Sequence, residues 1–484
     1  MKYQNVSNYI SGEFVSGSNG NLDIMSPIDG SIISQVALSS TEDVDKAVRA
    51  AREAFPAWSN MPIKERVQIF FRYKQLLEDN IEELTNLVVE ECGKTYGEAR
   101  AEVLKSAELT EFACSMPQLL SAEFLEVSRG VECKEERYPV GVVASISPFN
   151  FPNMVPNWTI PNALVLGNTM ILKPSELVPL SANRIAEILT EAGLPKGVLN
   201  VVHGNREAVE AICDNPGIDA ISFVGSTKVA KIVYKRASSN LKRVLALGGA
   251  KNHLIVLPDA NVKMTGSNVA ASMSGCAGQR CMAAAAMIAV GDVEHIIEEV
   301  CKEARKIIPG ENLGAIITAE GKERIENYIN DAEKDGAKIL VDGRNSTVKG
   351  KENGFYLAPT IIDFVTPEMR IANEEVFGPV LSIIRVDNVE KAMEIENNSN
   401  YGNACAVFTQ SGGAANYVSE KASAGMIGVN IGVPVPREPF AFGGWNESKF
   451  GVGDITGRSS IEFWTKTKKI TTKWNPESQV NWMS

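Results

Sequence analysis

Hydrophobic and polar positions change their spacing along the chain, and each spacing predicts a different kind of element. From about residue 42 to 115 the apolar positions recur at the helical interval, which predicts several helices, the first with Thr41 as its N-cap. We interpret this region as packing rather than chemistry. The next segment, up to Val140, has short alternating runs that predict a β-hairpin.

Residues 141–225 alternate between the helical and the strand period. The segments GVVASISPF, TMILKP, LNVVHG and AISFVG predict strands, and the segments between them predict helices. Strands that alternate with helices of this length form a parallel sheet covered by helices on both faces. Ligands bind at the carboxyl ends of such strands, so the residues that follow each strand are the candidates for a site.

A second alternating block, from His253 to about Val435, predicts a second α/β unit. Its predicted helices lie near 293–308 and 318–335, and its predicted strands near 353–364, 379–385 and 404–409. The tail from Ser459 onward alternates like an edge strand, and a terminal strand of this kind often pairs with the sheet of another subunit. We therefore expect a homo-oligomer.

Composition and charge narrow the class of protein. The chain has 484 residues, more than one hydrophobic core of about 250–300 residues accommodates, so two or three units are expected. A formal net charge of -11 opposes binding to nucleic acid and to anionic membranes, and no apolar stretch is long enough to cross a bilayer.

Eight cysteines without regular spacing, and no N-terminal apolar signal core, predict free thiols in the cytoplasm. The lysine-rich run at 466–473 is interpreted as an exposed strand face.

The segment SGCAGQRCMA contains the candidate nucleophile, Cys281. Small residues around it allow other groups to approach the backbone closely, and a thiolate both attacks a carbonyl carbon and leaves readily from a tetrahedral adduct. A buried structural cysteine is the alternative, since most free cysteines are buried. The three histidines, His203, His253 and His295, fit no zinc motif, and we interpret His253 as a partly buried, hydrogen-bonded imidazole.

Polar residues follow successive predicted strands of the first block. Asn150 comes directly after a strand, where its amide suits an oxyanion together with a backbone N–H of the nucleophile. Lys173 and Glu176 follow the next strand, and Gly225 and Ser226 open a helix after a third. The backbone N–H groups of such a helix suit a pyrophosphate, and a carboxylate suits ribose hydroxyls. The strand ends therefore predict a dinucleotide site.

The motifs PFNFP, KPSE, FVGST, LGGA, GQRC and EEVFGPV, in this order, make the chain similar to the aldehyde dehydrogenase superfamily over essentially its whole length. The resemblance implies an α/β, aldehyde dehydrogenase-like fold with two parallel-sheet domains and a small β oligomerisation arm. It implies an NAD-binding, Rossmann-like domain at 1–116 and 136–246, with 440–464 returning to it, a catalytic domain at 247–439, and oligomerisation strands at 117–135 and 465–484. It also implies a homotetramer, a dimer of dimers.

The same resemblance implies the roles of the site residues. It makes Cys281 the nucleophile and Asn150 the oxyanion donor, and it implies no metal. The implied contacts of NAD are Ser147, Phe149, Lys173, Ser175, Glu176, Gly225, Ser226, Leu247, Gly248, Glu375 and Phe377. A carboxylate near the ribose 2′ position repels an added phosphate, so Glu176 favours NAD, with NADP left open.

One position departs from the pattern. Most of the superfamily has a glutamate just before the Leu-Gly-Gly turn, which activates water to hydrolyse the thioester, whereas this chain has Ala246. The absence of this glutamate, together with the motifs GAKNH and GQRCMA, makes the chain similar to the CoA-acylating methylmalonate-semialdehyde dehydrogenases. In these enzymes the thiol of coenzyme A accepts the acyl group. For a β-oxo acid, loss of carbon dioxide precedes this transfer.

The resemblance also implies two cationic side chains that bind the carboxylate of the substrate. Arg280 resembles one of the two arginines that bind the substrate carboxylate in that subfamily, and Lys105 replaces the other. A lysine lacks the bidentate fork of an arginine, so the identity of the aldehyde stays open.

The sequence leaves three functions open. The first is CoA-acylating oxidation of a small acidic semialdehyde, and the second is hydrolytic, NAD(P)-dependent oxidation with Glu375 or a backbone-held water in place of the missing base. The third is a silent scaffold or binding protein. Dependence on coenzyme A separates the first two, and oxidation that persists in a Cys281→Ala variant would contradict both.

Overall fold

Two large β-sheets form the framework of the molecule, and their strands are the apolar runs that the sequence pattern predicts. The computed structural model describes residues 1–474. In that part of the chain, an eight-stranded sheet and a seven-stranded sheet are accompanied by three small sheets. The predicted α/β class, with two largely parallel sheets and a small β arm, is confirmed.

The bounds of the strands are as follows. They are β1 (Asn8–Ile10), β2 (Glu13–Val15), β3 (Asn21–Met25), β4 (Ile32–Ala37), β5 (Glu123–Ser128), β6 (Val131–Pro139), β7 (Val142–Ile146), β8 (Thr169–Lys173), β9 (Leu199–Val201), β10 (Ala220–Val224), β11 (Arg243–Leu247), β12 (Asn252–Val256), β13 (Ala284–Val290), β14 (Lys338–Val341), β15 (Thr360–Asp363), β16 (Val380–Val386), β17 (Tyr401–Gly402), β18 (Ala404–Phe408), β19 (Met426–Val429), β20 (Trp445–Asn446), β21 (Lys449–Phe450) and β22 (Thr465–Lys473).

Helices connect and cover these strands. They are α1 (Thr41–Asn60), α2 (Ile63–Asp79), α3 (Ile81–Cys92), α4 (Tyr96–Cys114), α5 (Met116–Leu119), α6 (Met154–Val165), α7 (Leu180–Glu191), α8 (Arg206–Asp214), α9 (Thr227–Ser239), α10 (Val262–Ser274), α11 (Glu294–Ala304), α12 (Ala319–Lys334), α13 (Arg370–Asn373), α14 (Val389–Asn397), α15 (Gly412–Lys421) and α16 (Ser460–Trp464), with a 3₁₀ turn at Gly275–Gly278.

The eight-stranded sheet has the order β2-β1-β9-β8-β7-β10-β11-β21, and its five strands from β9 to β11 are parallel. Strands β7 and β8 are buried at every position, as expected for parallel strands covered on both faces. Helices α1, α8 and α9 pack on one face, and α2–α4, α6 and α7 pack on the other.

The seven-stranded sheet has the order β14-β15-β16-β13-β12-β18-β19 and comes from the chain between residues 252 and 429. The chain passes from the first sheet to the second through the turn 248–251. This short connection brings the carboxyl edge of the first sheet close to the second sheet. The finer domain boundaries given above remain predictions.

Local capping explains where two of the helices begin. Helix α4 follows Thr95, whose Oγ1 accepts the Glu98 N–H (3.3 Å) while the Glu98 carboxylate accepts the Thr95 N–H (3.2 Å). Helix α1 begins at Thr41 and its N-cap is Ser40, so the predicted N-cap is wrong by one residue.

The tail differs from the prediction in its first part. This part is the helix α16, because Ile461, Phe463 and Trp464 are buried in the core. The predicted edge strand follows as β22, which pairs with β6 of the same chain along nine residues and lies at one edge of the three-stranded sheet. Pairing of its other edge with another subunit stays a prediction. The lysines of β22 are exposed, as predicted. The last part of the predicted oligomerisation strand, 475–484, lies outside the described residues.

Within residues 1–474, no helix has the length and the apolar character needed to cross a bilayer.

Candidate active site

The nucleophile loop lies between α10 and β13 and is made of small residues. Cys276 and Ala277 adopt left-handed backbone conformations, with φ of 54° and 52°. Gly278 touches the Gly378 backbone so closely that a Cβ there would lie 2.1 Å from the Gly378 carbonyl. Only glycine fits at this contact. The loop therefore holds Cys281 close to the segment that carries Glu375.

Two asparagines fix the backbone of the nucleophile. The carbonyl of Cys281 accepts hydrogen bonds from Asn252 Nδ2 (2.7 Å) and Asn403 Nδ2 (2.9 Å). Both asparagines are buried, and a buried amide must find partners. Neither asparagine was predicted from the sequence as a site residue. Asn252, a polar residue at the start of a buried strand, gave a signal, whereas Asn403 gave none.

Asn150 lies beside the nucleophile loop, as predicted for an oxyanion donor. It is buried, and its Nδ2 donates to the carbonyl of Gln279 (3.0 Å), two residues before Cys281. An amide nitrogen carries two N–H groups, so one remains to donate to a substrate oxygen. The role of Asn150 is therefore compatible with its position.

The thiol of Cys281 is protonated in this arrangement. Burial, followed by the negative charge of Glu375, raises the pKa of Cys281 to about 12, although Arg280 acts in the opposite direction. The Glu375 carboxylate is thus one of the charges that oppose ionisation of this thiol.

Glu375 is held by the turn that joins the two sheets. The Ala250 N–H donates to Glu375 Oε1 (2.9 Å), and a Cβ on Gly249 would lie 2.3 Å from Oε2. Burial raises the pKa of Glu375 to about 7, against the Ala250 hydrogen bond and the charge of Lys251. Lys251 is itself buried, and within residues 1–474 no carboxylate forms an ion pair with it.

The first seven of the eleven predicted nucleotide residues lie at the carboxyl ends of β7, β8 and β10. Lys173 and Glu176 form an ion pair of 2.9 Å, and Ser175 accepts the Leu177 N–H through its Oγ (3.3 Å). Ser226 is the N-cap of the 13-residue helix α9, and its side chain forms no capping hydrogen bond. The first N–H groups of this helix are thus available to a phosphate.

A buried hydroxyl without a hydrogen-bond partner among the described residues supports a ligand site at the carboxyl edge of the eight-stranded sheet. Ser147 Oγ is buried, and no hydrogen-bond partner for it lies among residues 1–474. Leu247 O accepts the Gly225 N–H (3.1 Å), and Gly248 N–H donates to the Ser448 carbonyl (2.9 Å), so the turn is fixed beside α9. These donors and the acidic Glu176 fit the pyrophosphate and the ribose of a dinucleotide.

Phe149, from the loop after β7, packs against Phe377, from the segment EEVFGPV. Their rings are edge-to-face at 5.8 Å, and Phe377 has a left-handed φ of 54°. Two motifs that are more than 200 residues apart in the sequence thus meet at one wall of the site.

The structure does not bring the two predicted substrate cations together on one acceptor. Arg280 Nη2 donates to the carbonyls of Ala271 (3.0 Å) and Ser272 (3.1 Å) at the end of α10. Lys105 forms ion pairs with Glu438 (2.6 Å) and Glu108 (3.0 Å).

Helix α4 touches both loops of the site, so the interpretation of the whole helical region as packing is wrong for this helix. Glu98 Oε1 accepts the Cys276 N–H (2.5 Å) in the nucleophile loop. Glu102 Oε1 accepts the Asn153 N–H (2.8 Å) after Asn150, and its other oxygen pairs with buried Lys94 (2.5 Å). The helical period predicted α4 correctly but gave no sign of these contacts.

Ala246 and His253, two positions discussed from the sequence, are both buried. Ala246 is fully buried in the apolar cluster around β10 and α9, so a carboxylate there would lose its hydration. His253 is hydrogen-bonded to Glu396, as interpreted from the sequence, but it is almost fully rather than partly buried. No group of three or more possible metal ligands occurs in the described part of the chain.

Comparison with known proteins agrees with this geometry. Residues 14–470 match the model of the aldehyde dehydrogenase family. The chain is 44% identical over 480 residues to a malonate-semialdehyde dehydrogenase of Halalkalibacterium halodurans, covering 97% of this chain and 99% of that one.

Solved structures show the same fold. The methylmalonate-semialdehyde dehydrogenase of Oceanimonas doudoroffii superposes with a TM-score of 0.96 at 42% identity, covering 98% of this chain and 99% of that one. A protein described as a methylmalonate-semialdehyde dehydrogenase from Sinorhizobium meliloti, in complex with NAD, gives a TM-score of 0.96 at 39% identity, with 98% and 99% coverage. The predicted aldehyde dehydrogenase fold is confirmed, and the NAD complex supports the predicted cofactor. The chain belongs to the aldehyde dehydrogenase family.

Proposed function

We propose that this enzyme oxidises a small acidic semialdehyde with NAD through a thioester on Cys281 and transfers the acyl group to coenzyme A. The observation that carries the proposal is a half-buried cysteine beside an amide donor, with a buried alanine, Ala246, where a water-activating glutamate would be needed. The semialdehyde named for its relatives supports the substrate class.

The residues present supply the parts of this reaction. NAD, when bound, supplies the hydride acceptor. The N-terminus of α9, Ser147, the Lys173–Glu176 pair and Glu375 are the groups that would hold it. Cys281 Sγ adds to the aldehyde carbon, and the second N–H of Asn150 donates to the oxygen that becomes negative.

The thioester is then resolved by a thiol. The sulfur of coenzyme A bonds to the acyl carbon, the bond from that carbon to Cys281 Sγ breaks, and the thiol proton passes to the released Cys281. A thiol needs less activation than water, so this step does not need a carboxylate at position 246.

The test compares NADH formation from malonate and methylmalonate semialdehyde with and without coenzyme A. We expect continuous turnover with coenzyme A, with an acyl-CoA as the product in mass spectrometry, and a single burst per site without it. A Cys281→Ala variant should form no NADH. Equal turnover in both conditions, with a free acid as product, would refute the acyl transfer.

Hydrolytic oxidation is the second candidate, and Glu375 favours it. Its pKa of about 7 and the effect of its charge on Cys281 suit a general base at neutral pH. A free acid as the only product would identify this reaction. Because Glu375 is also proposed to hold NAD, a Glu375→Gln variant would have to keep one burst of NADH per site and lose the further turnover to identify Glu375 as the base.

We also propose that the enzyme is a homotetramer. Strand β5 exposes Phe124, Leu125 and Val127, with 63%, 65% and 51% of their surface accessible, at the edge of the three-stranded sheet. An exposed apolar edge strand is prone to pair with another chain. Light scattering should give four times the mass of the chain, and a monomer at micromolar concentration would exclude the assembly.

A further inference from the structure

Two amides donate to the carbonyl of Cys281, and they are placed differently in the fold. Asn252 donates to the carbonyls of Cys281 (2.7 Å) and Ala283 (2.8 Å). Its Oδ1 accepts the Ala404 N–H (3.1 Å), so this amide joins the starts of β12, β13 and β18, which are neighbours in the seven-stranded sheet. One hydrogen bond satisfies a buried carbonyl, and the fold does not need the second donor, Asn403, for this purpose.

Asn403 belongs to a connection between the two large sheets. It lies between β17 and β18, and its Nδ2 donates to the carbonyl of Cys281 (2.9 Å). Strand β18 is part of the seven-stranded sheet, whereas β17 pairs with β20, with Gly402 opposite Trp445. The chain continues from β20 into β21, the edge strand that pairs with β11 in the eight-stranded sheet. The pair β17–β20 therefore links one sheet to the other.

Ser448 completes this connection on the side of the eight-stranded sheet. Its Oγ accepts the Gly402 N–H (3.2 Å) and donates to the carbonyl of Gly249 (2.7 Å). Its own carbonyl accepts the Gly248 N–H (2.9 Å), and the Gly249 N–H donates to Oγ1 of Thr227 (2.8 Å), the first residue of α9. Ser448 is 2% exposed, so solvent does not compete for these bonds. Four hydrogen bonds thus lead from the N-terminus of α9 to the backbone of the nucleophile.

We propose that Asn403 is a positioning residue that aligns the nucleophile with the nucleotide for hydride transfer. The inference rests on the proposed function, which assigns NAD to the N-terminus of α9 and to Glu375. In this step the aldehyde carbon bonded to Cys281 Sγ gives its hydride to NAD, and its negatively charged oxygen re-forms the double bond of the thioester.

The two reaction partners are carried by different sheets. The loop of Cys281 leads into β13 of the seven-stranded sheet, whereas α9 follows β10 of the eight-stranded sheet. Hydride transfer requires the reacting atoms to lie about 3–3.5 Å apart, so the two sheets must hold one relative position. Asn403 and Ser448 supply that constraint at the nucleophile itself.

The test measures the single-turnover rate constant of NADH formation with enzyme in excess over the aldehyde and without coenzyme A. The aldehyde is malonate semialdehyde, or propanal if the wild type does not oxidise the acid. Hydride transfer is then observed whether a thiol or water later resolves the thioester, so a failure of the acyl-transfer proposal leaves this result intact. Asn403→Leu, similar in size but without a donor, should reduce the rate constant about 10²-fold, as expected for a misplacement of about 1 Å.

Asn200→Leu is a matched control. Asn200 is also buried, and its Nδ2 also donates to a backbone carbonyl, that of Gly197 (2.8 Å), which precedes β9 at the amino end of the eight-stranded sheet. This substitution should change the single-turnover rate constant less than about twofold, because the residue lies outside the connection.

Two further measurements separate alignment from a general loosening of the site. The dissociation constant of NAD, from quenching of tryptophan fluorescence, should stay within about threefold of wild type in Asn403→Leu, and so should the rate of alkylation of Cys281 by iodoacetamide. Neither measurement needs the thiol and the nucleotide to be aligned. A loss of alkylation or of NAD binding as large as the loss of hydride transfer would overturn the proposal.

Ser448→Ala tests the connection from its other end and decides the question if Asn403→Leu does not fold. It should lower the single-turnover rate constant while alkylation of Cys281 stays unchanged. The double variant should lose no more than the larger of the two single losses, because both substitutions break one connection, whereas independent effects multiply. Losses that multiply, or a rate constant that neither substitution lowers, would refute the role of Asn403.

Discussion

Replacing Lys251 with methionine is expected to stabilise the protein at neutral pH. Lys251 is only 3% exposed, and within residues 1–474 no ion pair compensates its charge. Burial lowers its pKa from 10.5 to about 8, although Glu375 and Glu374 oppose this shift. At about 1.4 kcal/mol per pKa unit, holding the ammonium in this place costs ~3 kcal/mol.

The pH dependence of this cost has a defined sign. A lysine whose pKa is lower in the folded state than in the unfolded state destabilises the fold in full below the folded value. The cost decreases as the pH rises through about 8 and is gone above 10.5. Lys251→Met should therefore raise the free energy of unfolding by ~3 kcal/mol near pH 7 and by only ~1.4 kcal/mol near pH 9.5.

Urea denaturation followed by tryptophan fluorescence at the two pH values measures this difference. Lys242→Met is a matched control, because buried Lys242 donates to the carbonyl of Ile218 (2.8 Å) and its loss should destabilise the protein. A gain below about 1 kcal/mol for Lys251→Met, or a gain that does not decrease with pH, would refute the reasoning. A buried ammonium kept at such a cost next to Glu375 is typical of a functional position.

Three further predictions concern the site itself. Asn150→Ala should reduce kcat about 10²–10³-fold, measured as NADH formation, and a loss below about tenfold would argue against an oxyanion donor. Because burial raises the pKa of Cys281 to about 12, its alkylation by iodoacetamide in the nucleotide-free enzyme should accelerate about tenfold per pH unit between pH 7 and 9, and a plateau in that range would contradict this protonation state. Glu102→Gln leaves buried Lys94 without its partner and should lower the free energy of unfolding by about 3–5 kcal/mol in urea titrations, whereas an unchanged midpoint would show that the pair is dispensable.

Much of the framework was predictable because the relevant signals are local. The alternation of periods between residues 141 and 225 predicted β7 to β10 and their helices, and each lies where expected. Cys281 and Asn150 stood out because small residues or a strand end surround them in the sequence. The pairing of the tail with β6 was not predictable in this way, since β6 lies more than 300 residues earlier than β22.

The remaining site contacts depend on pairs that no local pattern reveals. Lys105 and Glu438 are 333 residues apart, and Asn403 is 122 residues from Cys281. A helical period records which face of α4 is buried, but not whether that face meets a core or a reactive loop. Contacts between charged or amide side chains that are this far apart in the sequence are visible only in the folded structure.

The path of the chain through the two large sheets has a consequence for biosynthesis. The seven-stranded sheet comes from one unbroken stretch, so all its strands leave the ribosome before β21, the last strand of the eight-stranded sheet. Domains fold as units during synthesis, and long-range pairing is slow. The nascent chain should therefore complete the later sheet while the earlier one still waits for residues 449–450, which leaves that sheet edge exposed to chaperones for the longest time.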